Sequence, residues 1–235
     1  MRDLAVNGYC AGNPGIGRVP SMHFQRDAFL QSEGDAWFDR NAARLDGSDD
    51  PVLKAIEQLQ IAASDALEIG CSNGWRLDKL SQRGVACSGV DPSEKAVLTG
   101  SERINLKVGT ADHLPFADRS FDLVIFGFCL YLIDPALHFR CVAEADRVLA
   151  ESGFLIIYDF MTPRPYYNDY VHLSGVHAHK MQFSNYFLAN PAYSLVHREI
   201  GAVADVDGRI GVDVETISFG GGAPGLENPP IFAPM

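Results

Sequence analysis

The sequence predicts an α/β fold in which a mostly parallel sheet, flanked by helices on both faces, is closed by a C-terminal antiparallel hairpin. Three observations carry that prediction. Short apolar runs of strand length recur between Ala66 and Tyr158, longer amphipathic stretches separate several of them, and two β-rich segments joined by Asp207-Gly208 follow. A length of 235 residues suits one domain of ordinary size, roughly 150 residues, with appendages. The 47% of hydrophobic residues is enough to build a sizeable core.

The elements follow in order. Residues 1–24 carry Gly8, Gly12, Pro14, Gly15, Gly17 and Pro20 with no apolar period, and read as a mobile arm. The segment Glu33 to Asn41 holds Trp37-Phe38 between charges. It is either a helix docked on the domain or a lid, with Trp37 and Phe38 over a ligand and Arg40 or Asn41 on a carboxylate or substrate. Buried strands are expected at Ala66–Ile69, Val85–Val90, Ile104–Val108, Phe121–Phe126 and Phe154–Tyr158. Asp134-Pro135 starts a helix, since the carboxylate caps free N–H groups and proline fits the first turn. That helix runs through Leu137, Val142, Ala145 and Val148 to Leu149 and stops before Gly153. From Thr162 to Pro191 the chain is rich in Tyr, His and Asn and shows no clean strand; it reads as a long connection carrying a substrate site, or as a plain surface crossover. Tyr193–Val206 and Ile210–Phe219 then form the hairpin, because Asp-Gly favours a tight turn. A Gly/Pro-rich tail, residues 220–235, ends the chain, leaving residues 25–219 as the domain.

Nineteen basic against thirty acidic side chains give a formal charge of −11, which disfavours a nucleic-acid partner. The five cysteines are widely spaced with no C-x-x-C pair, as expected of reduced buried thiols rather than a zinc or disulfide framework. No apolar run reaches the roughly 20 residues that span a bilayer, so the expectation is a cytoplasmic protein, monomer or homodimer, without a membrane partner.

The chemistry concentrates in Ala66 to Leu77. A strand ends at Gly70, the chain turns through Cys71, Ser72 and Asn73, and a helix begins near Gly74, presenting backbone N–H groups to a polar ligand. Dinucleotide and P-loop fingerprints both fail: Ser72 and Trp75 stand where further glycines are needed, and no Gly-Lys-Ser/Thr follows. Glu68, just before the turn, suits a cationic ligand better than a pyrophosphate.

Glu68-Ile69-Gly70-Cys71-Ser72-Asn73-Gly74 resembles the first motif of the class I S-adenosylmethionine-dependent methyltransferases, E-x-G-x-G-x-G, with Ser72 in place of the middle glycine. Gly89-Val90-Asp91-Pro92-Ser93 resembles the end of the family's second strand, whose acid takes both ribose hydroxyls. Gly109 to Phe116, with Ala111, Asp112 and His113, resembles the segment whose Asp contacts the adenine amino group. Phe121 to Ile125 resembles the fourth strand, and Arg147-Val148-Leu149 with Gly153-Phe154-Leu155 the helix and strand that close the core. The resemblance covers roughly Ala66 to Asp159 and implies a Rossmann-like seven-stranded sheet, S-adenosyl-L-methionine as cofactor and S-adenosyl-L-homocysteine as product. Gly127 and Phe128, just past the fourth strand, join the cofactor set; Gly127 lets backbone approach, and Phe128 has core packing as its alternative. For Asp91 the alternative is a solvated strand-end carboxylate, and for Asp112 a helix cap.

Methyl transfer is an in-line displacement, so positioning and exclusion of water dominate and a base is optional. His172, His177 and His179 are candidate bases for a hydroxyl acceptor, as are Tyr131 and Asp159 after the fourth and fifth strands. No metal is expected from the three histidines. The acceptor is read as a small polar metabolite methylated at O or N, with a sugar-like compound favoured, because the arm and Lys180 to Ser184 loosely resemble bacterial sugar and secondary-metabolite pathway methyltransferases. Two alternatives stay open: a methyltransferase-like protein that binds the nucleoside without transfer, and an NAD(P)-dependent oxidoreductase.

Overall fold

A computed structural model describes residues 24–45, 49–202 and 211–219. The arm, except Phe24, and the tail lie outside them, as do Cys10 and the Asp207-Gly208 turn.

Among the described residues the sheet has seven strands in the order β3-β2-β1-β4-β5-β9-β8. Five are parallel: β1 (Asp65–Ile69), β2 (Ala86–Asp91), β3 (Asn105–Val108), β4 (Phe121–Gly127) and β5 (Leu149–Met161). Seven is reached only by adding the C-terminal hairpin, β8 (Tyr193–Ala202) and β9 (Gly211–Phe219), with β9 antiparallel to β5. The central strands alternate between two cores. Leu67, Ile69, Val124, Phe126, Leu155 and Ile157 enter one, while Ala66, Leu123, Ile125 and Ile156 enter the other. Both faces are therefore apolar, as a parallel sheet covered twice requires.

The second core is covered by α3 (Pro51–Gln58) and α4 (Trp75–Ser81). Asp50 caps α3 by accepting the Leu53 N–H at 2.9 Å, with Pro51 in the first turn. Over the first core lie α6 (His138–Val148), α7 (Asn185–Leu188) and the N-terminal pair α1 (Phe24–Ala28) and α2 (Gly34–Asn41), joined by a π-helical turn, Phe29–Glu33. Between β2 and β3, α5 (Glu94–Leu98) is capped by Ser93, whose Oγ also donates to Asp35 on α2 at 2.7 Å. Glu33 to Asn41 is thus a docked helix, and Arg40 binds Glu33 and the Tyr170 hydroxyl.

Two expectations change. Asp134 does not cap the helix after it: a 3-10 turn (Pro135–Leu137) precedes α6, and the Asp134 carboxylate accepts the N–H groups of Gln25 and Arg26 at 3.2 and 2.9 Å. That helix also ends one residue early, because Leu149 already opens β5. Within Thr162 to Pro191 the chain does form strands, β6 (Tyr166–Asp169) and β7 (His177–Lys180), paired as a ribbon separate from the main sheet. The Gln25 side chain clamps this ribbon, accepting the His177 N–H at 2.7 Å and donating to Leu132 O at 2.7 Å. Among the described residues no helix is long and apolar enough to cross a membrane.

Candidate active site

A cavity of about 800 Å³, counting its open mouth, lies at the carboxyl ends of the parallel strands and beneath α1 and α2. Its floor is formed by Gly70, Asp91, Pro92, Ala111, Asp112, Gly127 and Phe128, and its roof by Gln25, Arg26, Phe29 and Trp37. Leu132, Ile133, Leu137 and Cys141 complete an apolar wall.

The turn after β1 is left-handed three times, at Gly70 (φ 74°), Ser72 (φ 52°) and Gly74 (φ 72°). Ser72 occupies backbone that favours glycine, at a cost of about 1 kcal/mol. Its N–H donates to Asp91 Oδ2 at 2.8 Å, which ties the turn to the end of β2. Asp91 Oδ1 accepts the Ser93 N–H at 2.9 Å. Burial pushes Asp91 up to about 6, against the pull of those two N–H groups. Each oxygen has accepted one of these donors, so each retains a lone pair for a ligand hydroxyl.

At the other end of the floor Asp112 is buried, with Oδ1 accepting the Thr110 hydroxyl at 2.7 Å and Oδ2 accepting Arg26 Nη1 at 3.2 Å. Burial pushes its pKa upward, but the hydrogen bonds from Thr110 and Arg26, with the guanidinium charge, outweigh it and hold the carboxyl below the ordinary value. His113 does not line the cavity; it forms a bridge with Thr110.

Glu68, Cys71, Ser72, Asn73, Gly74 and Ser93 do not line the cavity. Glu68 is fully buried and pairs with Arg76, whose Nε and Nη2 also donate to Asp50 at 3.0 and 2.9 Å. Two carboxylates thus share one guanidinium. Burial lifts Glu68 to about 7 although Arg76 opposes the shift. Glu68 Oε2, Ser72 Oγ and Asn73 Oδ1 are buried without a hydrogen-bond partner.

None of the five candidate bases lines the cavity, although Tyr131 packs against Phe128, which does. Asp159 is buried, and its oxygens accept the N–H groups of Phe160 at 2.7 Å and Tyr131 at 3.3 Å, so it fastens the loop after β4. Burial lifts it to about 7, against the pull of loop N–H groups. Tyr131 packs against Phe128 and Phe160, and its phenol is pushed up by burial and then by the Asp159 charge. The histidines belong to the β6–β7 ribbon and its turn. His172 stands edge-on to Tyr170, and His177 Nδ1 lies 3.1 Å from Asp169 without hydrogen-bond geometry. His179 is half-buried, its pKa lowered by burial and by His177. Among the described residues no group of three His, Cys, Asp or Glu side chains is placed to hold a metal ion, and Cys71, Cys87, Cys129 and Cys141 are free.

Sequence reading missed Gln25 and Arg26, whose partners at the site lie 86 to 152 residues away. It also missed the Asp50–Arg76 pair, although Asp50-Pro51 is a visible helix start, and His138. His138 is buried against Tyr186 and Ile133 O, and is held down at about 4 by burial and by His179.

A glycine turn after the first strand, an acid ending the second and another acid after the third all face one cavity. Residues 67–157 match the family model described as a methyltransferase domain. The demethylmenaquinone methyltransferase of Tropheryma whipplei is 30% identical over 120 residues, which cover 47% of this chain and 49% of that protein. The chain therefore spans about half the length of that relative. Among solved structures, the 1,6-didemethyltoxoflavin-N1-methyltransferase of Burkholderia thailandensis superposes with a TM-score of 0.67 at 16% identity, covering 92% of this chain and 94% of that one. A methyltransferase of Methanosarcina mazei gives 0.58 at 18% identity, covering 71% and 97%. At such identities the likeness is one of fold.

Proposed function

We propose that the protein, through residues 25–219, transfers a methyl group from S-adenosylmethionine to a small-molecule acceptor. The observation that carries this is the pairing of Asp91 with Asp112 along one cavity floor. One carboxylate is open to vicinal ribose hydroxyls, the other to an adenine amino group. When bound, the cofactor supplies an electrophilic methyl group on a sulfonium. What this chain does is bind, orient and exclude water. Asp91 and Asp112 fix the nucleoside, Gly70 and Gly127 let backbone approach, and Trp37 and Phe29 on the helical roof close the space above.

For the acceptor, the walls support a ring compound with a flat apolar face over a sugar. Phe128 is held at φ 63°, a strained conformation for a non-glycine residue, inside a cluster with Tyr131, Tyr158 and Phe160 at centroid distances of 5.1, 5.2 and 4.9 Å. Relatives named for demethylmenaquinone and 1,6-didemethyltoxoflavin support the same class. The test is calorimetry with S-adenosylhomocysteine, followed by transfer of labelled methyl to a panel of quinols, N-heterocycles and sugars. Saturable binding with turnover on ring acceptors is expected. Absence of binding sinks the function, and turnover on sugars alone sinks the acceptor class.

A further inference from the structure

We propose that Arg26 is a positioning residue that sets which nucleobase the cavity accepts, by holding Asp112 in the orientation that receives an exocyclic amino group. The proposal rests on the cofactor reading above. Asp112 is 4% exposed, and each of its oxygens already has one fixed donor, Thr110 Oγ1 at 2.7 Å and Arg26 Nη1 at 3.2 Å. Two donors on opposite oxygens fix the plane of the carboxylate, and each oxygen keeps one lone pair for a ligand.

The guanidinium is itself held. Its Nε and Nη2 donate to Asp27 Oδ1 at 3.0 and 2.9 Å, while the backbone N–H of Arg26 donates to Asp134 Oδ2 at 2.9 Å. Asp134 thereby seats the start of α1 on the domain and aims Arg26 at a carboxylate 86 residues away in the chain. Arg26 and Asp112 both line the cavity. An ionised carboxylate accepts from an amino group and repels a carbonyl oxygen at the same place on a base. A carboxylate held in place discriminates between the two, whereas one free to turn away or to admit water does so less. The docking of α1 and the reading of the base are thereby one event.

The test compares the affinities of S-adenosylhomocysteine and S-inosylhomocysteine, which differ at the exocyclic position, for the full chain and for Arg26→Ala, Arg26→Lys and Asp112→Ala, each checked for unchanged thermal unfolding. Wild type is expected to prefer the adenosyl ligand by roughly ten- to a hundredfold, the range of a hydrogen bond to a charged group. Arg26→Ala should lower that preference about tenfold, Arg26→Lys should restore part of it, and Asp112→Ala should abolish it. A helix that merely packs would weaken both ligands equally and leave the ratio intact. A preference lost in Asp112→Ala but unchanged in Arg26→Ala overturns the role of Arg26 alone. A preference that survives in both overturns the assignment of the base end as well, and failure of wild type to bind either ligand overturns the cofactor reading on which the proposal stands.

Discussion

Acidification is expected to release the cofactor through Asp91. Its two oxygens accept the Ser72 and Ser93 N–H groups at 2.8 and 2.9 Å, so ligand hydroxyls must use the remaining lone pairs of an ionised group. Burial places its titration at about 6. Roughly a tenth of the protein is ionised at pH 5 against half at pH 6, so the affinity for S-adenosylhomocysteine falls about fivefold between pH 6 and 5, and about tenfold between pH 8 and 5. Above pH 7 the profile is flat. Calorimetry from pH 5 to 8 measures this, with Asp91→Asn as the control. Asparagine keeps the shape but does not titrate, so binding at pH 8 weakens by about 1.5–3 kcal/mol and the slope below pH 6 disappears. Glu68, lifted to about 7, does not supply that slope, because it lies outside the cavity lining and is paired with Arg76. A flat wild-type profile in folded protein, or a slope that persists in Asp91→Asn, refutes the reasoning.

Gly127→Ala should abolish cofactor binding, since a Cβ there collides with Glu68 Oε1 and comes within 3.0 Å of Gly70 O; wild-type affinity in calorimetry contradicts this. Arg76→Ala leaves Glu68 and Asp50 buried without their shared cation and should cost about 3–5 kcal/mol in urea unfolding; a loss under about 1 kcal/mol means the pair is not buried as described. The triple variant His172→Ala, His177→Ala, His179→Ala should keep cofactor affinity within about twofold, because none of the three lines the cavity; a tenfold loss would place the ribbon at the site. Stability of the unliganded protein should fall from pH 5 to 7.5. Glu68, Asp91 and Asp159 titrate at about 7, 6 and 7 in the fold, above ordinary carboxyls, so their contribution is complete below pH 4 and lost as pH climbs through those values. His138, held at about 4, and His179, also lowered, run the other way over the same window, but three carboxyls outweigh two imidazoles; a melting temperature that rises across this range refutes the sign.

What the sequence disclosed was what is local. The five parallel strands show as apolar runs because both faces of each central strand are buried, and the turn after β1 shows because backbone at φ near +70° favours glycine. Ser72 tolerates the same region, with its N–H held by Asp91. The β6–β7 ribbon was not legible because all four residues of β6 are exposed and β7 is only partly covered, so no period of two appears. Asp134-Pro135 carried a true capping signal addressed to a different helix, since its carboxylate caps α1 across 108 residues. Three histidines within eight residues suggested a base near the acceptor, yet they lie on the ribbon and its turn. Their direction depends on strand pairing that no local pattern encodes.

The two floor carboxylates differ in what satisfies them, and that difference is functional. Asp112 faces a guanidinium and stays below the ordinary carboxylate value, so its charge is settled before any ligand arrives. Asp91 is half-buried and has only backbone N–H donors to offset the loss of water, so its charge is settled late. A ligand that donates two hydroxyls to Asp91 supplies the stabilisation of the anion that the fold withholds, and binding near pH 5.5 must therefore expel a proton. Titrating S-adenosylhomocysteine in buffers of different ionisation enthalpy measures that proton directly. About half a proton or more should be released per ligand at pH 5.5 and close to none at pH 8. Asp91→Asn should release none at either pH, whereas Arg26→Ala, which touches only the other carboxylate, should leave the proton count unchanged. Release that persists in Asp91→Asn would move the titrating group elsewhere and with it the ribose end of the site.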